Sequence, residues 1–299
     1  MTLADAINAY CTSLAANARS SLTVAAYRRD LTAMANHAHV GPAMPAESMG
    51  HSHVERWLAD LAATPLPDGT PRSPSTVNRA KAAARSFGAW LATAGIAARD
   101  PAATIRIQRT QRTSPNVLAD SDRKRLVREV HARSGRAAPR DAMMLDLLLG
   151  TGIRLAELTG LDCSAVDLDR CTITIRAKGN RIETRFMHSE LRRSLRAYLR
   201  WRRDQASESP ALFLSNRGRR ISDRQVQARF AVWLRWAGIA PAGLSIHSLR
   251  HTFGTRLYRR THDLVLVGKA MGHRTTEATR VYVHDDAAAL EEALEALGR

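Results

Sequence analysis

Four short stretches in the second half of the 299-residue chain carry side chains suited to phosphate chemistry. In Thr151-Gly152-Ile153-Arg154-Leu155-Ala156-Glu157-Leu158, a glycine turn ends one helix and begins another near Arg154. A cation at a helix N-terminus opposes the macrodipole, and a bound anion facing both the guanidinium and the helix end would resolve the conflict. A surface pair between Arg154 and Glu157 is the plainer alternative. Lys178 sits in the turn Lys178-Gly179-Asn180, where a charge ordinarily just keeps a hairpin tip soluble. An ammonium there can also enter a DNA groove and give up a proton, which a guanidinium effectively cannot. His247 and Arg250 are three residues apart, so a helix places both on one face, whereas His251 points elsewhere and reads as a structural histidine. Met271-Gly272-His273 is followed by Tyr282. A tyrosine late in a helix is a core residue in most proteins, but Thr279, Arg280, His284 and Asp285 make these surroundings polar.

The charge balance narrows the ligand. Forty-five Lys and Arg against 28 Asp and Glu leave a net charge of +17, which favours a polyanion such as nucleic acid or an acidic membrane surface. The surplus is uneven: 11 basic and 7 acidic residues precede position 111, against 34 and 21 from there on, while 281–299 reverses sign with five acidic residues against Arg299. The N-terminus lacks the basic region and apolar run of a signal peptide, and no apolar stretch approaches the ~18–20 residues that span a bilayer. That shifts the expectation from membrane to nucleic acid and to a cytoplasmic protein. Cys11, Cys163 and Cys171 are odd in number and unpaired in spacing, so they read as reduced thiols. His37-x-His39 and His51-x-His53 lack third ligands and read as surface histidines, so neither metal nor cofactor is expected.

The elements that must position these groups fall in two halves. The first hundred residues read as helices only. One starts at Ser20-Ser21 and carries Val24, Tyr27, Leu31 and Met34, and a second spans about 47–63 and ends at the Pro65–Pro71 run. Ser73-Pro74 caps a long third helix with Val77, Ala80, Ala84, Phe87 and Leu91 as its core stripe. Asn78, Lys81 and Arg85 share a different face of it, either as a solvated surface or as a DNA contact. The polar, basic stretch 105–117 reads as a linker between a helical domain, 1–104, and a second domain, 118–299. The second domain is mostly helical with one hairpin: Cys171–Arg176 alternates apolar and polar residues, and Ile182–Met187 returns. Helices are expected at about 189–204, 222–237, 247–260, 262–271, 275–282 and 286–297, the last with Leu290, Leu294 and Leu297 on one side.

Arg154, Lys178, His247-x-x-Arg250, Gly272-His273 and Tyr282 fall in the order and spacing of the tyrosine recombinase (phage integrase) family, which the chain resembles. Their flanks match as well, in Ala-Lys-Gly-Asn-Arg, His-Ser-Leu-Arg-His-Thr-Phe and Val-Tyr-Val-His. Ala26-Tyr27-Arg28-Arg29-Asp30-Leu31 and Asn78-Arg79-Ala80-Lys81 extend the resemblance to the family's core-site-binding domain. Met271 stands where Leu is more usual and Met187 where Pro is common; neither touches a catalytic role.

The resemblance implies a mainly α fold with a small β-hairpin or sheet, arranged as a two-domain C-shaped clamp on duplex DNA. It implies that Tyr282 attacks the scissile phosphate to give a 3′-phosphotyrosyl bond, that Arg154 and Arg250 clamp the non-bridging oxygens, and that Lys178 protonates the leaving oxygen. His247 is then the expected base, His273 a hydrogen-bond donor to the phosphate, and Asn78, Lys81 and Arg85 DNA contacts. A tetramer on two sites, or pairing with a second recombinase, follows, and the plan resembles the Xer-type resolvases. A DNA-binding protein that does not cut, or a type IB topoisomerase acting as a monomer, are the alternatives.

Overall fold

The computed structural model describes residues 1–108, 116–177, 181–273 and 279–282. The chain divides into two compact units, Met1–Arg112 and Thr113–Arg299.

The first unit holds four helices, α1 (Leu3–Ala16), α2 (Ser21–Ala35), α3 (His51–Ala63) and α4 (Pro74–Thr93). Local chemistry sets their starts: Ser20 and Ser73 accept the backbone N–H of Thr23 and Thr76, and Pro74 needs no donor at the first helical position. Ala80, Ala84, Phe87 and Leu91 of α4 are buried, and Tyr10 packs at 5.4 Å from Phe87 and 5.6 Å from Trp90. Arg79 binds buried Asp30 through two donors, at 2.7 and 2.9 Å, fastening α4 to α2. The expected helix at 47–63 is split. Ala46–Ser48 forms a single 3-10 turn, and α3 begins only at His51. His53 then takes the Gly50 N–H on its Nδ1.

In the second unit α5 (Asp120–His131), α6 (Ala138–Thr151) and α7 (Leu155–Thr159) precede a three-stranded antiparallel sheet, β1 (Val166–Asp167), β2 (Thr172–Ala177) and β3 (Arg181–Phe186). Then come α8 (Ser189–Arg203), α9 (Asp223–Trp236), α10 (Ile246–Thr261), α11 (Leu264–Met271) and a 3-10 turn, Arg280–Tyr282. Helix α6 is apolar on almost every side, as a central helix must be. Its Met144, Leu145, Leu147 and Leu148 are buried among α5, α8 and α10. Strand β1 escapes a periodicity reading because it is two residues long. The register of β2 and β3 is unusual: buried Ile173 and Ile175 lie opposite Arg185 and Glu183.

Candidate active site

Three chain reversals bring the chemistry-bearing residues together. Helix α6 ends at Gly152 in the left-handed region (φ 60°), where a Cβ would run into the Phe253 ring. The next turn delivers Arg154 to the N-cap of α7. There the Glu157 carboxylate accepts the Arg154 backbone N–H at 2.9 Å and its guanidinium at 2.7 Å. The surface-pair alternative for Arg154 is therefore real, but it does not use up the side chain. Its second nitrogen donates to the Gly272 carbonyl at 3.3 Å.

Arg250, in the first turns of α10, is buried. It donates through Nη1 to the Gly152 carbonyl and through Nη2 to the Met271 carbonyl at 2.6 Å. Burial, and then the nearby Arg154 charge, pull its pKa down to about 10, still well above neutrality. Helix α11, capped by Asp263 at Val265 and Leu266, ends at Gly272 (φ 63°) and hands the chain to His273. His273 Nδ1 meets the Thr279 hydroxyl at 2.9 Å. Burial and the cations Arg250 and Arg154 lower the His273 pKa to about 4, so it is neutral at pH 7. His247 is lowered by the same causes in the same order.

Tyr282 belongs to a 3-10 turn and is 3% exposed, packed with Val267 and Met271. The expected helix 275–282 is seen only at this end, since 274–278 lie outside the described residues. Its ring stacks on His273 at 6.2 Å and 8°, and it lies so close to α10 that a Cβ at Gly254 would meet its Cζ at 2.7 Å. Burial pushes its pKa up to about 12, against the opposing pull of Arg250 and Arg154. The hydroxyl lies 3.2 Å from Nδ1 of His251. This corrects the reading of His251 as merely structural. It also separates Tyr282 from His247, which makes no hydrogen bond to it. Sequence reasoning also missed Arg185, a buried side chain that reaches the Met271 carbonyl at 3.4 Å.

Arg154, His247, Arg250, His273 and Tyr282 thus share one cluster, while Lys178 lies outside the described residues. In the first unit, Asn78 is engaged in both directions with the Gln108 backbone, donating at 2.8 Å and accepting at 3.1 Å. That pairing ties down the chain as it leaves α4's neighbourhood. Lys81 lines a groove of about 730 Å³ with Arg56, Arg72 and Arg106, and Arg85 is exposed. Among the described residues no group of three His, Cys, Asp or Glu could hold a metal ion, and no helix is long and apolar enough to cross a membrane.

A helical unit joined to a second unit that gathers a tyrosine, paired arginines and neutral histidines defines a DNA strand-transferring enzyme of the tyrosine recombinase class. Residues 116–289 match the phage integrase family and residues 7–95 its N-terminal SAM-like domain, and the chain belongs to that family. The tyrosine recombinase XerC of Azotobacter vinelandii is 32% identical over 269 residues, covering 89% of this chain and 86% of the relative. XerC of Mycobacterium sp. (strain JLS) is 32% identical over 276 residues, covering 89% of each. Among solved structures, XerH bound to palindromic difH substrate in a post-cleavage complex aligns with a TM-score of 0.72 at 18% identity, over 98% of this chain and 84% of that one. A lambda integrase dimer bound to a COC′ core site aligns with a TM-score of 0.70 at 14% identity, over 92% and 96%. At such identities these two speak to the fold.

Proposed function

We propose that this protein is a site-specific recombinase that cuts and rejoins duplex DNA through a 3′-phosphotyrosyl bond at Tyr282. The observation that carries this reading is the contact of the Tyr282 hydroxyl with His251 beside Arg154, Arg250 and His273. A phenol whose pKa stands near 12 is a poor nucleophile at neutral pH until a base takes its proton. His251 Nδ1 is the base in reach. That contact supports His251 as the base in place of His247, which would then serve on the arginine face of α10 as a phosphate contact.

In the step itself, the tyrosine oxygen bonds to phosphorus as its proton passes to His251, and the bond to the 5′ oxygen breaks. Lys178 supplies the proton that makes the leaving group a hydroxyl. Arg154, Arg250 and His273 hold the non-bridging oxygens as charge builds on them. Attack by the 5′-hydroxyl of a partner duplex reverses each transfer, so the phosphodiester energy is kept.

Residues 1–104 would form the core-site-binding domain and 118–299 the catalytic domain, linked by 105–117, with each domain contacting the DNA. Lys81 and Arg85 would track phosphates, with Asn78 bracing the linker. The reaction exchanges four strands, so a tetramer on two sites, or pairing with a second recombinase, is required. The long match to XerC proteins supports a Xer-like role in the cytoplasm, such as chromosome dimer resolution, with mobile-element integration or excision as the neighbouring reading.

The test is covalent capture. Wild-type protein is mixed with nicked duplexes of random core sequence, and the attached DNA is sequenced. Attachment should be confined to a shared site and vanish in Tyr282→Phe, with binding retained. Attachment that survives the substitution refutes the assignment of the nucleophile. Plasmid relaxation without recombination between two captured sites would indicate a topoisomerase instead.

A further inference from the structure

Strand β3 enters the sheet with its polarity reversed. A strand over a core ordinarily turns its apolar residues inward. Here Ile182 is 74% exposed and Phe186 78% exposed, while the other face carries Arg181, itself exposed at the hairpin end, half-buried Glu183 and buried Arg185, opposite Ala177, Ile175 and Ile173. A slip of one residue would bury the two large apolar side chains and release the charges. The register that is kept therefore depends on something that the inward charges touch.

What they touch is the turn that ends α11. Arg185, 4% exposed in its side chain, donates from Nη2 to Glu183 at 2.8 Å and to the Met271 carbonyl at 3.4 Å. The Met271 carbonyl also accepts from Arg250, and the next one, Gly272, accepts from Arg154. Three guanidinium groups from three different elements converge on two successive carbonyls. The Glu183–Arg185 pair lies flat against Gly272, where a Cβ would overlap both the carboxylate and the guanidinium. The residue after that glycine is His273. Among the described residues, Arg185 Nε is also a buried nitrogen without a hydrogen-bond partner. A pair kept for stability alone would be poorly built this way, since buried ion pairs are commonly replaceable by apolar side chains.

We infer that Arg185, oriented by Glu183, is a positioning residue for strand cleavage: it fixes the Met271–Gly272 turn and so sets His273 against the scissile phosphate. This rests on the proposed cutting of DNA by Tyr282. A lysine is a poor substitute: both contacts leave from Nη2, whose place is fixed by a planar guanidinium that also donates from Nη1 to the Thr184 carbonyl at 3.4 Å, and a single ammonium on a flexible stem has no such second arm.

The test uses the full-length protein and a nicked duplex recovered by the wild type's own covalent attachment. If the wild type attaches to nothing, the proposed function fails before any variant is made, and the two failures stay distinct. Arg185→Met and Arg185→Lys are each expected to slow single-turnover attachment by about 100-fold, the scale of displacing a catalytic group by about 1 Å. DNA affinity should stay within about threefold in both. In a His273→Ala background, Arg185→Met should cost less than about threefold more, because its effect passes through that ring. The double variant Glu183→Met with Arg185→Met replaces the buried pair by apolar volume and carries the same expectation should the single variant fail to fold. Wild-type attachment by either Met-substituted protein, full rescue by lysine, or losses that multiply with His273→Ala would each overturn the inference.

Discussion

Removing the imidazole of His251 should change how the rate of DNA attachment responds to pH. Tyr282 has a pKa of about 12 against an ordinary value of 10.0. At pH 8 its phenolate is then about one molecule in ten thousand, roughly 100-fold rarer than for a free tyrosine. Attachment through pre-formed phenolate would be slow and would rise tenfold per pH unit. With His251 as base the reaction needs neutral imidazole instead. Burial first, then the His247 and Arg250 charges, hold the His251 pKa below its usual value. The neutral form therefore dominates at pH 7 and is lost only as the pH falls below that depressed pKa. Besides these two groups on α10, the ring faces Tyr282, and His273 lies nearby; both are neutral at pH 7. Wild-type attachment, followed by quenched single-turnover trapping, should therefore be nearly flat from pH 7 to 9 and decline on the acid side. His251→Ala should fall by about 10²–10⁴-fold at pH 7, the usual contribution of a positioned base, and climb steadily towards pH 10. A His251→Ala enzyme that attaches at the wild-type rate with a flat profile would remove His251 from the mechanism. The same loss and new slope in His247→Ala, with His251→Ala unaffected, would return the role to His247.

Other outcomes follow from charge and chemistry. Lys178→Ala is expected to slow cleavage of ordinary DNA far more than cleavage of a 5′-phosphorothiolate duplex, whose leaving group needs no acid; equal slowing would leave Lys178 as a groove contact. Duplex affinity should fall steeply between low and moderate salt, as counterions return to the phosphates that the +17 chain had neutralised, and a flat titration would contradict the clamp. His273, neutral in the fold with a pKa near 4, must bind a proton more readily once unfolded. Its contribution to stability is thus complete above about pH 6.5 and declines as the pH falls towards 4. A melting temperature whose acid decline is unchanged in His273→Asn would show that the ring has no such part. Residues 283–299, with the helix expected at 286–297, lie outside the described residues; if their acidic sequence docks on a neighbour's basic surface such as Arg192, Arg193, Arg196, Arg200 and Arg203 of α8, deletion of 286–299 should leave monomers that bind single sites but neither assemble nor recombine. Normal recombination by the truncated protein would end that idea.

The parts of the fold legible in the sequence are those decided within one turn of chain. Ser73-Pro74 announces α4 because capping and a missing donor are local matters, and Cys171–Arg176 announces β2 because alternation is local too. The site was legible as a set of spaced motifs, and the structure brings Arg154, His247, Arg250, His273 and Tyr282 into one cluster. What stayed hidden depends on approach between distant segments. His251 follows Arg250 by one residue and so leaves the helix about 100° further round; nothing in α10 says that Tyr282 arrives on that side. Arg185 sits where alternation reads as a solvent charge, and only the turn after α11 turns it into a buried one. The bonds between the Asn78 amide and the Gln108 backbone join positions 30 residues apart, which no local pattern announces.

The closeness of Tyr282 to the bare backbone of Gly254 has a consequence for how a cutting enzyme lives among long stretches of DNA that it must not cut. A basic protein meets duplex everywhere, briefly and without regard to sequence. With Tyr282 as the proposed nucleophile, the oxygen that would attack DNA is the one held inside here, with a glycine providing the recess into which the ring fits. A phenol sheathed in this way would hold back damage to arbitrary DNA by geometry before sequence recognition has any say. Any larger side chain at 254 would evict the ring and leave the blade drawn.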